Sequence, residues 1–307
     1  MFPPIGEASE GKGMVPFRRA RRSRKVEHSS GAKGPRVFTD TRRGKFYDDV
    51  SQLSLMSESI VCSVFHTFTE RFAKELFNTH IRLPTDADQE KCMGEYHMVG
   101  CTGAIGSTDV THLKWANCPF SEIVLHIGKE GYPTLAYQAT VDHAGRVLGV
   151  TQGFPGATND KTIIKFDKTV QSIKGDRRYT EKAFELKSED GTSLPMKGNW
   201  LLVDNGYHKW RILMGPTRFG KTIAEIRWSR HLESVRKDVE RFFGILKGRF
   251  RILKQPILIR RKYDVDNVVF TCCVLHNMLH SFDGLDDLER GVHWAGADGF
   301  HDGSVAN

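Results

Sequence analysis

The stretch AIGSTDVTHLKW, Ala104–Trp115, alternates small, apolar and β-branched residues and reads as a β-strand, with one residue out of keeping: the carboxylate of Asp109 in its middle. A second run, NWLLVDNGY at Asn199–Tyr207, reads as a short buried strand that ends on Asp204 and turns at Asn205-Gly206. Between them, TLAYQATVD and RVLGVTQGF read as two strands joined by a turn at Asp142 to Gly145. NDKTIIKFDKTVQSI then predicts one helix, capped at Asn159 or Asp160. Residues 174–198 are polar and Gly-containing, a surface insertion. Two helices follow. One runs from about Leu232 to Lys247 with Val235, Val239, Phe242, Phe243 and Leu246 on one face, and the other covers roughly Val265 to His280. Strands, a helix, a further strand and long helices make an α/β domain, a mixed sheet flanked by helices. That order suits a ribonuclease-H-like architecture, although pattern alone does not select it over other α/β folds.

Outward from this domain, taken as residues 101–282, the chain divides into three further regions. Residues 37–100 form a short N-terminal helical region, in which Ile60, Val61, Val64, Phe65, Phe68, Phe72 and Leu76 recur at helical spacing. LPTDADQ, ending at Gln89, reads as a linker. Residues 1–36 are a Gly-, Pro- and Ser-rich basic arm expected to be disordered, and 283–307 an acidic tail expected to be the same. Within the arm, RRARRSRK at Arg18–Lys25 is six-eighths basic and reads as a nuclear-localisation signal, or as an ordinary basic arm.

Composition narrows the class of function. The longest apolar runs, such as VVFTCCVL at Val268–Leu275, are too short to span a bilayer, so no membrane partner is expected. Six cysteines without CxxC pairs fit a reduced compartment. The net charge is +8, and its location is more telling than its size. From Arg227 to Lys262 twelve basic residues face only Glu233, Asp238 and Glu240. Concentrated positive charge suits a polyanion, because neutralising phosphates releases counterions. A solvated helix face is the plainer alternative.

Asp109, Asp204 and Glu240 occupy unusual places: inside a strand, at the end of the run WLLV, and beside the apolar stripe of a helix. Burying charge there is costly unless it is paired or holds a metal. Carboxylates converging from two strands and a helix make an all-oxygen site of the kind Mg²⁺ takes. Two such ions can serve both the attacking and the leaving oxygen of a phosphodiester. The plainer alternative makes Asp109 a strand-end residue and Glu240 an ion-pair partner of Arg236 on its own helix.

Five blocks tie the chain to a known family. GSTDVTHLKWANCP (Gly106–Pro119) resembles the first-aspartate block of PIF/Harbinger transposases, in their plant transposon-protein branch. FPGATND (Phe154–Asp160), LLVDNGYHKW (Leu201–Trp210), VRKDVERFFGILKGRF (Val235–Phe250) and CCVLHNML (Cys272–Leu279) are similar to the later blocks and stand in family order. The likeness covers about Ser57 to His280. His208 stands where the family usually has proline, and the family carries a longer helix-turn-helix-like region upstream, so recognition of DNA ends is expected to be incomplete.

The resemblance implies a DDE transposase that hydrolyses DNA phosphodiesters at transposon ends and joins the 3′-hydroxyl to target DNA by two-metal-ion catalysis. It makes Asp109, Asp204 and Glu240 catalytic, and Asp109, Asp160, Asp204 and Glu240 ligands of Mg²⁺ or Mn²⁺. Arg236, Lys237, Arg241 and Lys247 would meet phosphates. DNA, a Myb-like DNA-binding protein and a second copy of the chain are the implied partners, and the nucleus the implied location. The rival is a non-catalytic or domesticated DNA-binding protein derived from a transposase.

Two further patterns are weighed against blander readings. GPTRFGKT, Gly215–Thr222, satisfies the P-loop spacing, but RILM before it is short and no Asp-ending strand follows, so coincidence is the reading taken. Cys272, His276 and His280 share a helical face and invite zinc, yet Val269, Leu275 and Leu279 around them look like core, and Cys92, His97 and Cys101 form a looser group still. Both sets are taken as structural.

Overall fold

Strand β1 (Ala104–Lys114) is the axis of the molecule, and its first five residues are fully buried. In a computed structural model of the chain, residues 45–187, 191–217 and 219–284 are described. The basic arm with Arg18–Lys25, and all of the acidic tail beyond Gly284, lie outside the described residues. Ahead of β1 come helices α1 (Lys45–Ser54), α2 (Glu58–His80) and α3 (Asp86–Met98). After it come the single turn α4 (Ile123–His126) and strands β2 (Thr134–Val141), β3 (Val147–Val150) and β4 (Phe154–Pro155). Helices α5 (Asp160–Phe166), α6 (Lys168–Gly175) and α7 (Arg177–Thr180) precede a hairpin of β5 (Ala183–Lys187) and β6 (Ser193–Lys197). Strands β7 (Trp200–Leu202) and β8 (Leu213–Met214) and helices α8 (Ile223–Arg249) and α9 (Lys262–Phe282) complete the described chain.

The sheet is mixed, in the order β3-β2-β1-β7-β8, with β4 also on β2. β1 runs antiparallel to β2 and parallel to β7, with Ser107 opposite Leu202. Helices cover both faces, as expected for strands with no solvent side. Against one face, Leu113, Leu135, Tyr137 and Val141 pack with Val239 and Phe242 of α8 and Val265 and Val268 of α9. Against the other, Ile105, Leu201 and Val203 pack with Ile164, Val170 and Ile173 of α5 and α6. The mixed-sheet α/β architecture read from the sequence is present.

Four local readings need correction. LPTDADQ is not a linker: Asp86 opens α3, and Gln89 is buried because its amide reaches Asn199 (2.6 Å) and the Arg178 carbonyl. The single helix expected from Asn159 is broken at Asp167, whose carboxylate turns to cap α6 through the Thr169 and Val170 amides. The 174–198 insertion contains the β5–β6 hairpin. Helix α8 begins nine residues before Leu232, at a capping box formed by Thr222 and Glu225.

That capping box also disposes of the P-loop spacing. The Lys221 and Thr222 amides both donate to the Glu225 carboxylate, so the helix start that would cradle a phosphate already holds an anion. The Cys272, His276 and His280 face is structural as well. His276 and His280 hydrogen-bond the Gly145 and Ala144 carbonyls, and Asn277 bonds both the amide and the carbonyl of Val147, so α9 clamps the β2–β3 turn. Gly145 sits at φ +94° in that turn, a backbone region that favours glycine.

Burial pushes His276 down to about 4, against the opposing pull of the Gly145 carbonyl. Its folded value lies below its unfolded one. The stability tied to neutral His276 is therefore complete above about pH 6.5 and is lost as pH falls toward 4. We expect His276→Gln, which keeps a donor for Gly145, to flatten unfolding free energy between pH 6.5 and 4 relative to wild type. Urea titrations across that range measure it, and parallel curves for the two proteins would contradict the assignment.

Candidate active site

The register of β1 against β7 brings two acids together. Asp109 lies in β1 two residues past the last paired Ser107, and Asp204 lies two residues past Leu202, just beyond the end of β7, so the two acids leave neighbouring strands on the same edge and the charge of Asp204 is felt at Asp109. Asp204 leaves the strand into a tight turn, where its Oδ1 accepts the Gly206 amide at 2.6 Å. A Cβ on Gly206 would approach that oxygen to 2.9 Å, which is why glycine follows here. Asp160 arrives from the loop after β4. The loop closes onto β2 at Gly156, where a Cβ would lie 2.0 Å from Thr134 Oγ1, and Asn159 caps α5 so that Asp160 opens the helix.

Helix α8 supplies the third side, and Arg236 is its centre. This guanidinium is buried and donates to Asp109 Oδ2 at 2.9 Å, Glu233 Oε1 at 2.9 Å and Glu240 Oε1 at 2.8 Å. Burial alone would depress its pKa, but the three carboxylates outweigh that and keep it protonated. Burial pushes Asp109 up to about 6, opposed by the Val110 amide and Arg236 and reinforced by Asp204 and Glu240. Asp160 is raised in the same way by burial and by Asp204, with Lys129 and His112 pulling against it. The phenol of Tyr207 lies buried among Asp109, Asp160 and Asp204, and its hydroxyl has no hydrogen-bond partner among the described residues.

The charges of Asp204 and Glu240 thus both reach Asp109, and that of Asp204 also reaches Asp160. The expected phosphate contacts fare differently. Arg236 faces carboxylates instead, because it sits on the buried side of α8 where an unpaired cation would be costly. Lys247 donates to Thr111 Oγ1 at 2.7 Å and to the His112 carbonyl, and burial lowers its pKa. Arg241 lies 3.5 Å from Asp238. Lys237 is the member of the set exposed to solvent. Sequence reasoning missed Glu233, whose i,i+3 spacing to Arg236 was a usable signal, and the buried pair His143–Asp238 (2.6 Å), for which no local signal exists. Tyr207 belongs to the block LLVDNGYHKW, but its sequence spacing gives no sign that the phenol packs among the acids.

The donor set suits a hard divalent cation in kind, being all oxygen. In the arrangement seen, Arg236 engages Asp109 and Glu240, and no three His, Cys, Asp or Glu side chains among the described residues stand close enough together to hold a metal ion.

The profile of the plant transposon protein family matches residues 78–284, two-thirds of the chain and every element of this site. The chain belongs to that family. The Harbinger-like assignment made from the five sequence blocks stands with it. Over 240 residues the chain is 26% identical to Protein ALP1-like of Arabidopsis thaliana, covering 76% of this chain and 56% of the relative. It is 22% identical over 261 residues to the Arabidopsis thaliana Antagonist of Like Heterochromatin Protein 1, covering 82% and 61%. It is 24% identical over 190 residues to HARBI1 of Xenopus laevis, a candidate nuclease by name, covering 61% and 49%. The chain therefore spans about half to three-fifths of the length of these relatives. No solved structure matches.

Removing Arg236 leaves Asp109 facing other carboxylates without a counter-charge. Arg236→Met should destabilise the protein by about 3 kcal/mol, the low end for breaking a buried pair because Glu233 and Glu240 are half exposed. Adding Asp109→Asn should recover part of that loss, since the uncompensated charge goes with it. Urea unfolding of the four proteins in the cycle measures the coupling, and additive losses would show that Arg236 and Asp109 do not depend on each other.

Proposed function

We propose that this plant transposon protein relative is a DNA nuclease of the DDE transposase type on a ribonuclease-H-like sheet. The observation that supports the reading is that Asp204, just past β7, and Glu240 of α8 both bear on Asp109 of β1, in the order the family blocks imply. Asp109, Asp204 and Glu240 would hold Mg²⁺ or Mn²⁺, with Asp160 as a further carboxylate. Divalent cations there would supply charge neutralisation at the attacking and leaving oxygens of a phosphodiester. The chain's own part is to place the DNA and to present the carboxylates. Lys237, exposed one residue past Arg236, is positioned to meet a phosphate. Arg236 must give up Asp109 and Glu240 before these can take a metal, and a guanidinium released beside a phosphate has a matching partner. The reaction is hydrolysis at a transposon end followed by attack of the freed 3′-hydroxyl on target DNA. A nuclear location, a Myb-like DNA-binding partner and self-association belong to the same proposal.

The second reading is a domesticated, non-cleaving DNA-binding protein, favoured by the guanidinium lodged between Asp109 and Glu240. Nicking of a duplex carrying the element's terminal repeats, with Mg²⁺, Mn²⁺ or chelator, separates the two. Metal-dependent nicking is expected from wild type. Asp109→Asn and Asp204→Asn should abolish it, and Glu240→Gln should lower it by orders of magnitude while DNA affinity holds. Lys237→Ala should reduce the salt slope of DNA binding by about one. Nicking that survives in the Asp109 and Asp204 variants would refute the carboxylate assignment. Binding without nicking under either metal would favour the second reading.

A further inference from the structure

Beside the edge strand β8 lies a cavity of about 610 Å³, within the size range of ligand sites. Its walls are the hairpin residues Phe184, Leu186 and Met196, the start of β7 at Trp200, Trp210 after the Asp204 turn, and Trp228 of α8. Trp210 is fixed in place, stacked on His208 with planes 11° apart and carrying the Lys174 ammonium 4.1 Å from its ring centre. Trp228 is 39% exposed, with the His231 ring 5.9 Å away and tilted by 34°. Lys174, Lys187, Lys197 and Arg211 also line the cavity, all of them exposed, and no acidic residue does among the described residues. Aromatic walls whose charged members, among the described residues, are all cationic suit a ligand that is planar and anionic along its length. The cavity is also close to the carboxylates: Met214, at its end, pairs with Leu202, two residues before Asp204.

We propose that this cavity is a subsite for single-stranded DNA, in which an unpaired base stacks on Trp228 and neighbouring phosphates meet Lys174, Lys197 and Arg211. It rests on the reading of the chain as a DNA-acting protein but not on cleavage. A duplex does not fit, since its bases are stacked on one another and present no free face. Base stacking on an aromatic side chain together with a basic track is the general mode of single-strand binding. Trp228 and Glu240 ride on the same helix about 18 Å apart, so a strand unpaired a few nucleotides from the acids would reach the subsite.

The test uses the full chain with chelator, so that no cutting occurs, and a fluorescein-labelled octathymidylate, with anisotropy and tryptophan emission as readouts. Wild type should bind the octamer and its tryptophan emission should fall. Trp228→Ala should weaken octamer binding by about ten-fold, Trp228→Phe should restore most of it, and Lys174→Glu with Lys197→Glu should weaken it further and lower its salt slope. Affinity for a blunt duplex should change less than two-fold in the Trp228 variants. Circular dichroism and melting temperature establish that each variant folds. No octamer binding by wild type, or equal binding by folded Trp228→Ala, would overturn the proposal. If nicking fails while the octamer still binds through Trp228, the catalytic reading falls and the subsite stands. If nicking succeeds while the Trp228 and lysine variants bind the octamer normally, the reverse holds.

Discussion

Asp109 has to emerge from a strand whose preceding five residues are sealed in the core, and the guanidinium of Arg236 is what makes that tolerable. β1 cannot slide to expose the carboxylate without dragging Ile105 out of its cluster, since a one-residue shift turns every side chain to the other face. The charge is therefore met from above. Val235 and Val239 flank Arg236 on α8 and are buried, so the same turn of helix is anchored by apolar contact and by ion pairing. Docking of α8 in turn positions Phe242 and Leu246 against the sheet and presents Glu233 and Glu240 at the rim. The acid, the arginine and the helix are one arrangement.

The sheet was legible because its residues leave little choice. TLAYQATV is buried along its whole length, and WLLV before Asp204 is too apolar to lie elsewhere. The second-aspartate turn was equally plain, since Asn205-Gly206 supplies the turn chemistry directly. What failed was whatever depended on partners distant in sequence. Gln89 looked like loop because its reason for burial is Asn199, far along the chain. The first turns of α8 carry no buried face, so periodicity was silent there, although Thr222 and Glu225 held a readable cap. Asp167 was read as an interior helix residue when it is a cap, a role that Asp fills in preference to interior positions.

Part of the basic run from Arg227 to Lys262 is matched within the protein. Arg236 answers Asp109, Arg261 answers Asp264, Lys262 answers Asp266, and Lys247 bonds Thr111. Much of the excess is spent internally. The polar ending CCVLHNML similarly belongs to packing, its His276, Asn277 and His280 acting as pegs that hold the turn from Ala144 to Val147 against α9. Blocks shared with a family need not all be chemistry. Here four of the five carry the candidate acids while the fifth fastens the turn between β2 and β3.

The length of α8 has a consequence of its own. It is one unbroken helix of 27 residues, about 40 Å long, and the cavity residue Trp228 and the acid Glu240 ride on it together. Their separation along the axis is about 18 Å, set by the helical rise and not by any loop. A single residue added between them would swing one end by about 100° relative to the other and carry Arg236 away from Asp109. The same addition between β5 and β6 would lengthen a hairpin connection and disturb neither. The helix thus acts as a calibrated spacer.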